Sequence, residues 1–189
     1  MPPLPESIGV AEDFCHDCYD LLQRYKLTIE AFFGVRSKRL KCFVDLRMAA
    51  ECILKAHAAY YLMQEFSRRE VVKSVEGYGH RLGRLGGDVS KSVAADKWAA
   101  LAPFIEQLDR LPVGLRYRLD VFDFRGVNEE FYYATVGSDA WLDNLHDAIE
   151  AVANDFLEQL STHDRILTGE DVWEELLASE SRHNKYEKK

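Results

Sequence analysis

The chain has 189 residues and a mass of 21.7 kDa, which fits one domain, and 47% of its residues are hydrophobic, enough for a full core. No apolar run approaches the roughly 18 residues of a membrane span, and the first ten residues lack the basic and apolar regions of a secretory signal. We therefore expect an intracellular, cytoplasmic protein. The net charge of −8 argues against broad, non-specific binding of nucleic acid.

The charge is distributed unevenly along the chain. Residues 21–91 contain 14 Lys and Arg against 7 Asp and Glu, a net charge of +7, whereas the remaining residues carry a net charge of −15. The basic part permits an anion-binding surface. The alternative is that the two parts attract one another, or attract a second copy of the chain.

Apolar residues recur at helical spacing in the first half of the chain. One stripe covers residues 10–25, a basic connection follows at 34–41, and a longer apolar segment runs over about 43–66. The stretch 67–76 is short enough for a helix or a strand, and its neighbours favour a helix. Five of the 11 glycines fall within residues 77–87, a density that indicates breaks and tight turns.

The second half shows helical spacing again, interrupted once. Residues 97–108 keep the helical pattern. The region 117–136 is aromatic and β-branched with a Gly/Asn break, so we predict an irregular insertion or a short β-hairpin there. The longest apolar pattern begins after Ser138 or Asp139, either of which suits a helix N-cap.

These elements predict an all-α protein. We expect an antiparallel up-and-down helical bundle with the one insertion, because the helical segments are amphipathic and separated by short connections. Residues 1–180 are expected to form a single helical domain, with a last helix capped by Thr168. Residues 181–189 are expected to be a charged C-terminal tail.

The segment 45–63 carries three charges among apolar residues. On a helix, Arg47, Glu51 and Lys55 lie one turn apart on a narrow stripe, and Glu51 can pair with both neighbours. The rest of the circumference is apolar, so this helix is expected at the centre of the bundle. The stripe then lies along a solvated seam or in a cleft between helices. Glu51 and Lys55 form either a polar catalytic pair or an ordinary intrahelical ion pair.

Three short motifs follow one another in the sequence: "AAECILKAHAAYY", "GHRLGRL" and "LRYRLD". Their order and spacing over residues 10–160 resemble those of the HEPN superfamily of helical bundles. In the family's second helix an Ala-Glu-x-x-Leu-Lys-Ala pattern is common, and the matching residues here are Ala50, Glu51, Leu54, Lys55 and Ala56. Matches to the later turn and to an Arg-Tyr segment are Gly79, His80, Leu82, Arg116, Tyr117 and Arg118, with Arg81 where the family often has Asp.

The resemblance implies a nucleotide- or RNA-related role in a stress, defence or toxin–antitoxin setting. Many HEPN proteins are metal-independent endoribonucleases that act as dimers, and others partner small nucleotidyltransferases or are non-catalytic. The nuclease members carry Arg, four to six residues and then His near the last helix, and no histidine of this chain has Arg at that spacing. The resemblance therefore implies a nucleotide- or RNA-binding module, with a homodimer and a nucleotidyltransferase as expected partners.

His80 is the leading candidate for chemistry. It follows two glycines and is expected to open a helix whose amides favour anions, with Arg81 and Arg84 completing a phosphate site with Lys55. His80 could act as a general acid or base, with Glu51 orienting a partner. Alternatively, His80 caps its helix or bonds a backbone carbonyl.

Arg116, Tyr117 and Arg118 are the other candidate ligand-binding residues. They could stack on a nucleotide and pair with phosphates, because the guanidinium fork fits phosphate oxygens. They could equally neutralise Asp120 and Asp123, and the pattern does not decide between the two.

The remaining motifs favour structural roles. His57 lies on the apolar side of its helix, which predicts a hydrogen-bonded core histidine. Cys15 and Cys18 have metal-like spacing, but Cys42 and Cys52 supply no second pair, so we expect neither a metal nor a cofactor. Two alternatives to the binding module stay open: an endoribonuclease with a non-standard active site, and a non-catalytic dimeric scaffold.

Overall fold

The computed structural model describes residues 6–31, 38–111 and 129–161, and these are helical with no β-strand among them. This confirms the all-α prediction. The chain divides into two compact units, Met1–Leu157 and Glu158–Lys189. The helices are α1 Ser7–Glu30, α2 Lys38–His57, α3 Arg68–Glu76, α4 Leu82–Val89, α5 Ala95–Arg110, α6 Glu129–Ala134 and α7 Asp139–Ser161.

Helix α2 begins earlier than its apolar pattern predicts, inside the basic connection. Leu40 and Cys42 are buried, so the start of the helix already faces the core. Arg39 lies on the other side and donates two hydrogen bonds, of 2.7 and 3.1 Å, to the carboxylate of Asp139 at the start of α7. Lys and Arg are good helix formers, so the basic residues extend the helix.

Two contacts show that α1 and α2 run antiparallel. Arg24, late in α1, pairs with Asp45, early in α2, at 2.8 Å. Lys55, late in α2, lies with its Nζ 5.7 Å from the ring centre of Phe14, early in α1. The buried carboxyl of Asp45 has a raised pKa because of burial, and the Arg24 guanidinium opposes that rise.

Hydrogen bonds give the same relative direction for α1 and α7. The hydroxyl of Tyr25 donates to Asp143 at 2.5 Å, and the hydroxyl of Tyr19 donates to Asn154 at 2.6 Å. Later residues of α1 therefore meet earlier residues of α7. Burial and the bond to Asp143 both raise the pKa of Tyr25.

Apolar side chains of six described helices, all except α6, form the core, and α2 contributes most of its circumference. Five alanines of α2 and the turn after it are fully buried, which lets neighbouring helices approach closely: Ala49, Ala50, Ala56, Ala58 and Ala59. The largest fully buried side chains are Phe43, Phe156, Leu46, Ile53, Leu54, Leu82, Leu85, Leu101, Leu108, Leu111 and Leu142.

Caps settle two points that the sequence left open. A capping box joins Ser67 and Glu70, whose Oε2 accepts the backbone N–H of Ser67 at 3.0 Å, so the segment after Ser67 is the helix α3. The Ser138 hydroxyl accepts the backbone N–H of Trp141 at 3.3 Å. Ser138 therefore caps α7, and Asp139 is free to pair with Arg39.

The predicted insertion is described only in part. Residues 129–134 form α6 and a hydrogen-bonded turn follows, so no hairpin strand forms in 129–136. Residues 117–128, the helix predicted after Thr168 and the tail 181–189 lie outside the described residues. None of the helices that the structure describes is long and apolar enough to cross a membrane.

Candidate functional site

The charged stripe of α2 lies in a cleft between helices. Arg47 and Glu51 are buried, and only 12% of the Lys55 side chain is exposed. The turn before α4 and the end of α5 cover this face of α2, through contacts of His80 and Leu108 with the stripe. The alternative of a solvated seam is therefore wrong.

Glu51 is the centre of this arrangement. Its Oε1 accepts a hydrogen bond from Lys55 Nζ at 2.6 Å, and its Oε2 lies 2.8 Å from His80 Nδ1. The carboxylate is 3% exposed, whereas the His80 side chain is 53% exposed. The structure thus brings together three residues that the sequence singled out, with a buried anion behind a half-exposed imidazole.

The contact with Glu51 defines the roles of the two ring nitrogens of His80. A carboxylate only accepts hydrogen bonds, so Nδ1 carries the proton in this contact. In the neutral ring Nε2 is then the basic nitrogen, and it has no hydrogen bond to any described residue. Glu51 thus fixes the orientation of the ring. Nε2 can accept a proton when the ring is neutral, and it can donate a hydrogen bond when the ring is charged.

Arg47 does not form the predicted ion pair with Glu51. Its guanidinium donates instead to the carbonyl oxygens of Leu108, of Leu111 at 3.5 Å and of His80 at 3.3 Å. The end of α5 and the turn before α4 present these carbonyls to the guanidinium, whereas both oxygens of Glu51 already pair with Lys55 and His80. Burial lowers the pKa of Arg47, and nearby carboxylates oppose that lowering.

The turn that carries His80 is held by its backbone. Gly79 has a φ of 57°, a conformation that favours glycine. The Gly83 N–H donates to Asp109 Oδ1 at 3.2 Å, and a Cβ at Gly83 would lie 2.8 Å from Asp109 Oδ2. Helix α4 begins at Leu82, so His80 precedes the helix, and Asp109 already occupies the amide that was expected to favour an anion.

The two predicted phosphate-binding arginines of this turn fold back on it. The Arg81 guanidinium donates to the carbonyl oxygens of Gly77 and Tyr78 at 3.2 and 3.3 Å. The guanidinium carbon of Arg84 lies 5.5 Å from the ring centre of Tyr78. Both arginines are exposed and these partners are neutral, so the two guanidinium groups keep their positive charge near the turn.

Arg116, Tyr117 and Arg118 lie outside the described residues. Their predicted role in binding a nucleotide or its phosphates therefore stays a prediction.

His57 occupies the core, as expected. Its ring lies 4.6 Å from that of Phe156 and 5.7 Å from that of Tyr61, between ring centres. Neither ring nitrogen reaches a partner with hydrogen-bond geometry among the described residues, so the predicted hydrogen bond is not found. Burial lowers the pKa of His57 to about 4, and the backbone of Ser92 opposes the lowering.

The cysteines are buried and free in the described part of the chain. Burial raises the pKa of Cys15 to about 11 and that of Cys52 to about 12, which disfavours the reactive thiolate. None of the cysteines belongs to a group of three metal-ligand side chains among the described residues.

A group of ligand-type side chains does lie on α7. Ligand atoms of His146, Asp147 and Glu150 fall within 4.8 Å of one another. Lys26 Nζ already binds Glu150 at 2.9 Å, and His146 Nδ1 lies 3.0 Å from Asp147, so these groups have protein partners.

Sequence reasoning missed the bonding of Arg47 and missed Asp109 entirely. Arg47 was visible on the stripe, but the four-residue spacing suggested an ion pair with Glu51 and not bonds to carbonyls. Asp109 follows Gly83 by 26 residues and carries no local signal of their contact.

The chain matches no protein-family profile, no curated protein and no solved structure.

Proposed function

We propose that this chain is a HEPN-like up-and-down helical bundle that binds phosphate groups of a nucleotide or RNA at the His80 cluster, defined as Arg47, Glu51, Lys55 and His80. The observation that carries the proposal is the half-exposed ring of His80, held 2.8 Å from the buried carboxylate of Glu51. A ring fixed in this way presents Nε2 outward and can donate to a phosphate oxygen when protonated.

The balance of charge supports an anionic ligand. Within the cluster the one carboxylate lies with two cationic side chains, Arg47 and Lys55, besides the imidazole. Arg81 and Arg84 add two exposed guanidinium groups whose described contacts are to neutral groups. Glu51 and Asp109 offset Arg47 and Lys55, so the excess positive charge at this turn comes from Arg81, Arg84 and a protonated His80, and it supports the binding of a phosphate group.

Helix directions support the HEPN-like part of the proposal. The antiparallel pairs α1–α2 and α1–α7 are those of an up-and-down bundle, with the charged stripe on α2 facing the turn before α4. The stress, defence or toxin–antitoxin setting, the homodimer and the nucleotidyltransferase partner rest on the sequence resemblance alone.

A binding experiment tests the phosphate site. Fluorescence anisotropy of a 5′-fluorescein-labelled single-stranded RNA, titrated with protein in EDTA, is compared for wild type, His80→Ala and His16→Ala. His16 is an exposed histidine on α1 and serves as the matched control. We expect about a tenfold weaker Kd for His80→Ala, the equivalent of about 1.4 kcal/mol, and no change for His16→Ala. Equal affinity of all three proteins would exclude His80 as the site.

Metal-independent RNA cleavage is the second candidate, favoured by the same Glu51–His80 contact. A carboxylate that orients an imidazole is the arrangement used by general acid–base catalysts. Incubation with several RNAs in EDTA separates the two functions: cleavage by wild type but not by His80→Ala supports catalysis. Binding without cleavage supports the binding module over the ribonuclease. The absence of both binding and cleavage argues against both functions.

A further inference from the structure

We infer that Arg47 is a positioning residue that holds His80 against Glu51 through the backbone of the turn. This inference deepens the proposed function and takes its functional meaning from it, although its geometry and its test need no ligand. The carbonyl oxygen of His80 accepts a hydrogen bond from Arg47 Nη2 at 3.3 Å, while the ring of the same residue lies 2.8 Å from Glu51. Residues one helical turn apart on α2 thus hold the main chain and the side chain of His80.

The hydrogen bonds of Arg47 join segments that are distant in sequence. Its Nη1 donates to Leu108 and Leu111 at the end of α5, and its Nη2 donates to His80 before α4. The planar guanidinium presents several donors in a fixed fork, so one side chain can hold two backbone segments at a set separation. An aliphatic side chain could fill the same space but could not bind these carbonyls.

The burial of Arg47 is costly for a residue with no ion pair. The side chain has no salt bridge within 4.0 Å among the described residues, so its charge is balanced only at longer range, by Glu51 and Asp109. Burying a cation without a direct anionic partner is unfavourable unless its hydrogen bonds are satisfied. Arg47 satisfies them with carbonyls, and one of these belongs to the residue that faces solvent in the cluster.

The turn has a second attachment on its other side. Asp109 Oδ1 accepts the N–H of Gly83 at 3.2 Å, three residues after His80. Gly79, the residue before His80, has the positive φ that directs the chain into this position. Gly79 and Gly83 thus fix the two ends of the turn, and Arg47 binds the main chain at His80 between them. That bond sets the distance from the His80 ring to Glu51.

Nuclear magnetic resonance of the histidine side chains tests this role without RNA. Long-range proton–nitrogen spectra of ¹⁵N-labelled protein report which ring nitrogen carries the proton. In wild type we expect neutral His80 to show a protonated Nδ1, unlike the exposed His16, whose two tautomers interconvert in solvent. In Arg47→Met we expect the His80 signals to move toward those of His16. Arg24→Met, which removes another α2-facing arginine, is the control and should leave them unchanged.

A second variant covers the case in which Arg47→Met does not fold, as judged by circular dichroism. Arg47→Lys keeps the charge but replaces the fork by one ammonium group, so a smaller displacement of the His80 signals is expected. A wild-type His80 spectrum in either folded variant would overturn the inference. Loss of folding in both would also overturn it, since Arg47 would then be required by the fold itself. Failure of RNA binding in wild type would refute the proposed function and leave this result standing.

Discussion

Two faces of the central helix α2 place a histidine in opposite environments. On the charged face, formed by Arg47, Glu51 and Lys55, the half-exposed ring of His80 lies against a buried carboxylate. On the aromatic face, at the end of α2, His57 is fully buried between Phe156 and Tyr61 and has no hydrogen bond to a described residue. One histidine has a charged partner and access to solvent, and the other has neither.

The comparison shows that the groups around a histidine, and not its place on or against α2, determine its protonation and its hydrogen bonds. A carboxylate beside an exposed imidazole accepts the proton of one ring nitrogen and leaves the other nitrogen available to a ligand. Aromatic rings and complete burial favour the neutral form, which is why the pKa of His57 is lowered to about 4. The π-helical turn Ala58–Leu62 directly after His57 belongs to this packing, since Tyr60 meets Phe156 edge-on with ring centres 5.6 Å apart.

The largest effect is expected on the aromatic face. Phe156→Ala removes a fully buried ring that contacts His57 and Tyr60, so we expect a loss of about 4 kcal/mol in the free energy of unfolding. The neighbouring Leu157 is 39% exposed, and Leu157→Ala should cost about 1 kcal/mol or less. Urea denaturation followed by circular dichroism measures both. Equal losses would mean that the aromatic face contributes no special packing.

The next effect is expected on the charged face. Glu51→Gln leaves the ammonium of Lys55 buried without its anion, and we expect a loss of about 3 kcal/mol in the free energy of unfolding. Glu150→Gln is the matched control, because Glu150 also pairs with one lysine, Lys26, but at the surface, where about 1 kcal/mol or less is expected. The same urea titration decides: a small loss for Glu51→Gln would show that water reaches the cluster.

The pH dependence of stability should distinguish the two faces. The pKa of His57 is lower in the folded protein, about 4, than the usual value near 6.5 in an unfolded chain, so the unfolded state binds the extra proton first. The stability from neutral His57 is complete above pH ~6.5 and is lost as the pH falls toward 4. Between pH 7 and pH 5 wild type should lose about 2 kcal/mol more than His57→Leu.

Urea midpoints at both pH values measure this difference, and carboxyl titrations common to both proteins cancel. His16→Leu, at an exposed site, should follow wild type. Parallel pH profiles for wild type and His57→Leu would contradict a neutral, buried His57.

The smallest effect on stability is expected for His80→Ala, at about 1 kcal/mol. The ring is half exposed, and Glu51 keeps Lys55 as a partner after the ring is removed. The free energy of unfolding from urea titration is the measurement. A loss as large as that of Glu51→Gln would make His80 a structural part of the cluster and would weaken its assignment as a ligand-binding residue.

The sequence predicted local features of the fold well. The helical stripes, the helix after Ser67 and the start of α7 follow from spacing and capping residues, whose effects extend over one or two turns. The start of α2 at Lys38 and the helix α6 were missed, because basic and aromatic residues support a helix only where the rest of the protein gives them a face to pack on. The irregular insertion or β-hairpin expected at residues 117–128 lies outside the described residues and stays a prediction.

The same division holds at the candidate site. The Glu51–Lys55 pair, four residues apart on one helix, could be predicted from spacing and is found at 2.6 Å. His80 could be suggested as a candidate, but its contact with Glu51 joins residues 29 apart, and the bond from Arg47 to Leu108 joins residues 61 apart. No local pattern specifies such contacts.

The sequence by itself determined that α2 carries three charges on one line of an otherwise apolar helix, because helical geometry repeats every 3.6 residues or so. Only the tertiary structure decided that this line is buried, that Arg47 turns to carbonyls and that His80 covers Glu51. The physical reason is that the energy of a charged group with each partner depends on their distance and on the loss of water around them. Both are defined only after the turn before α4 and the end of α5 have packed onto α2.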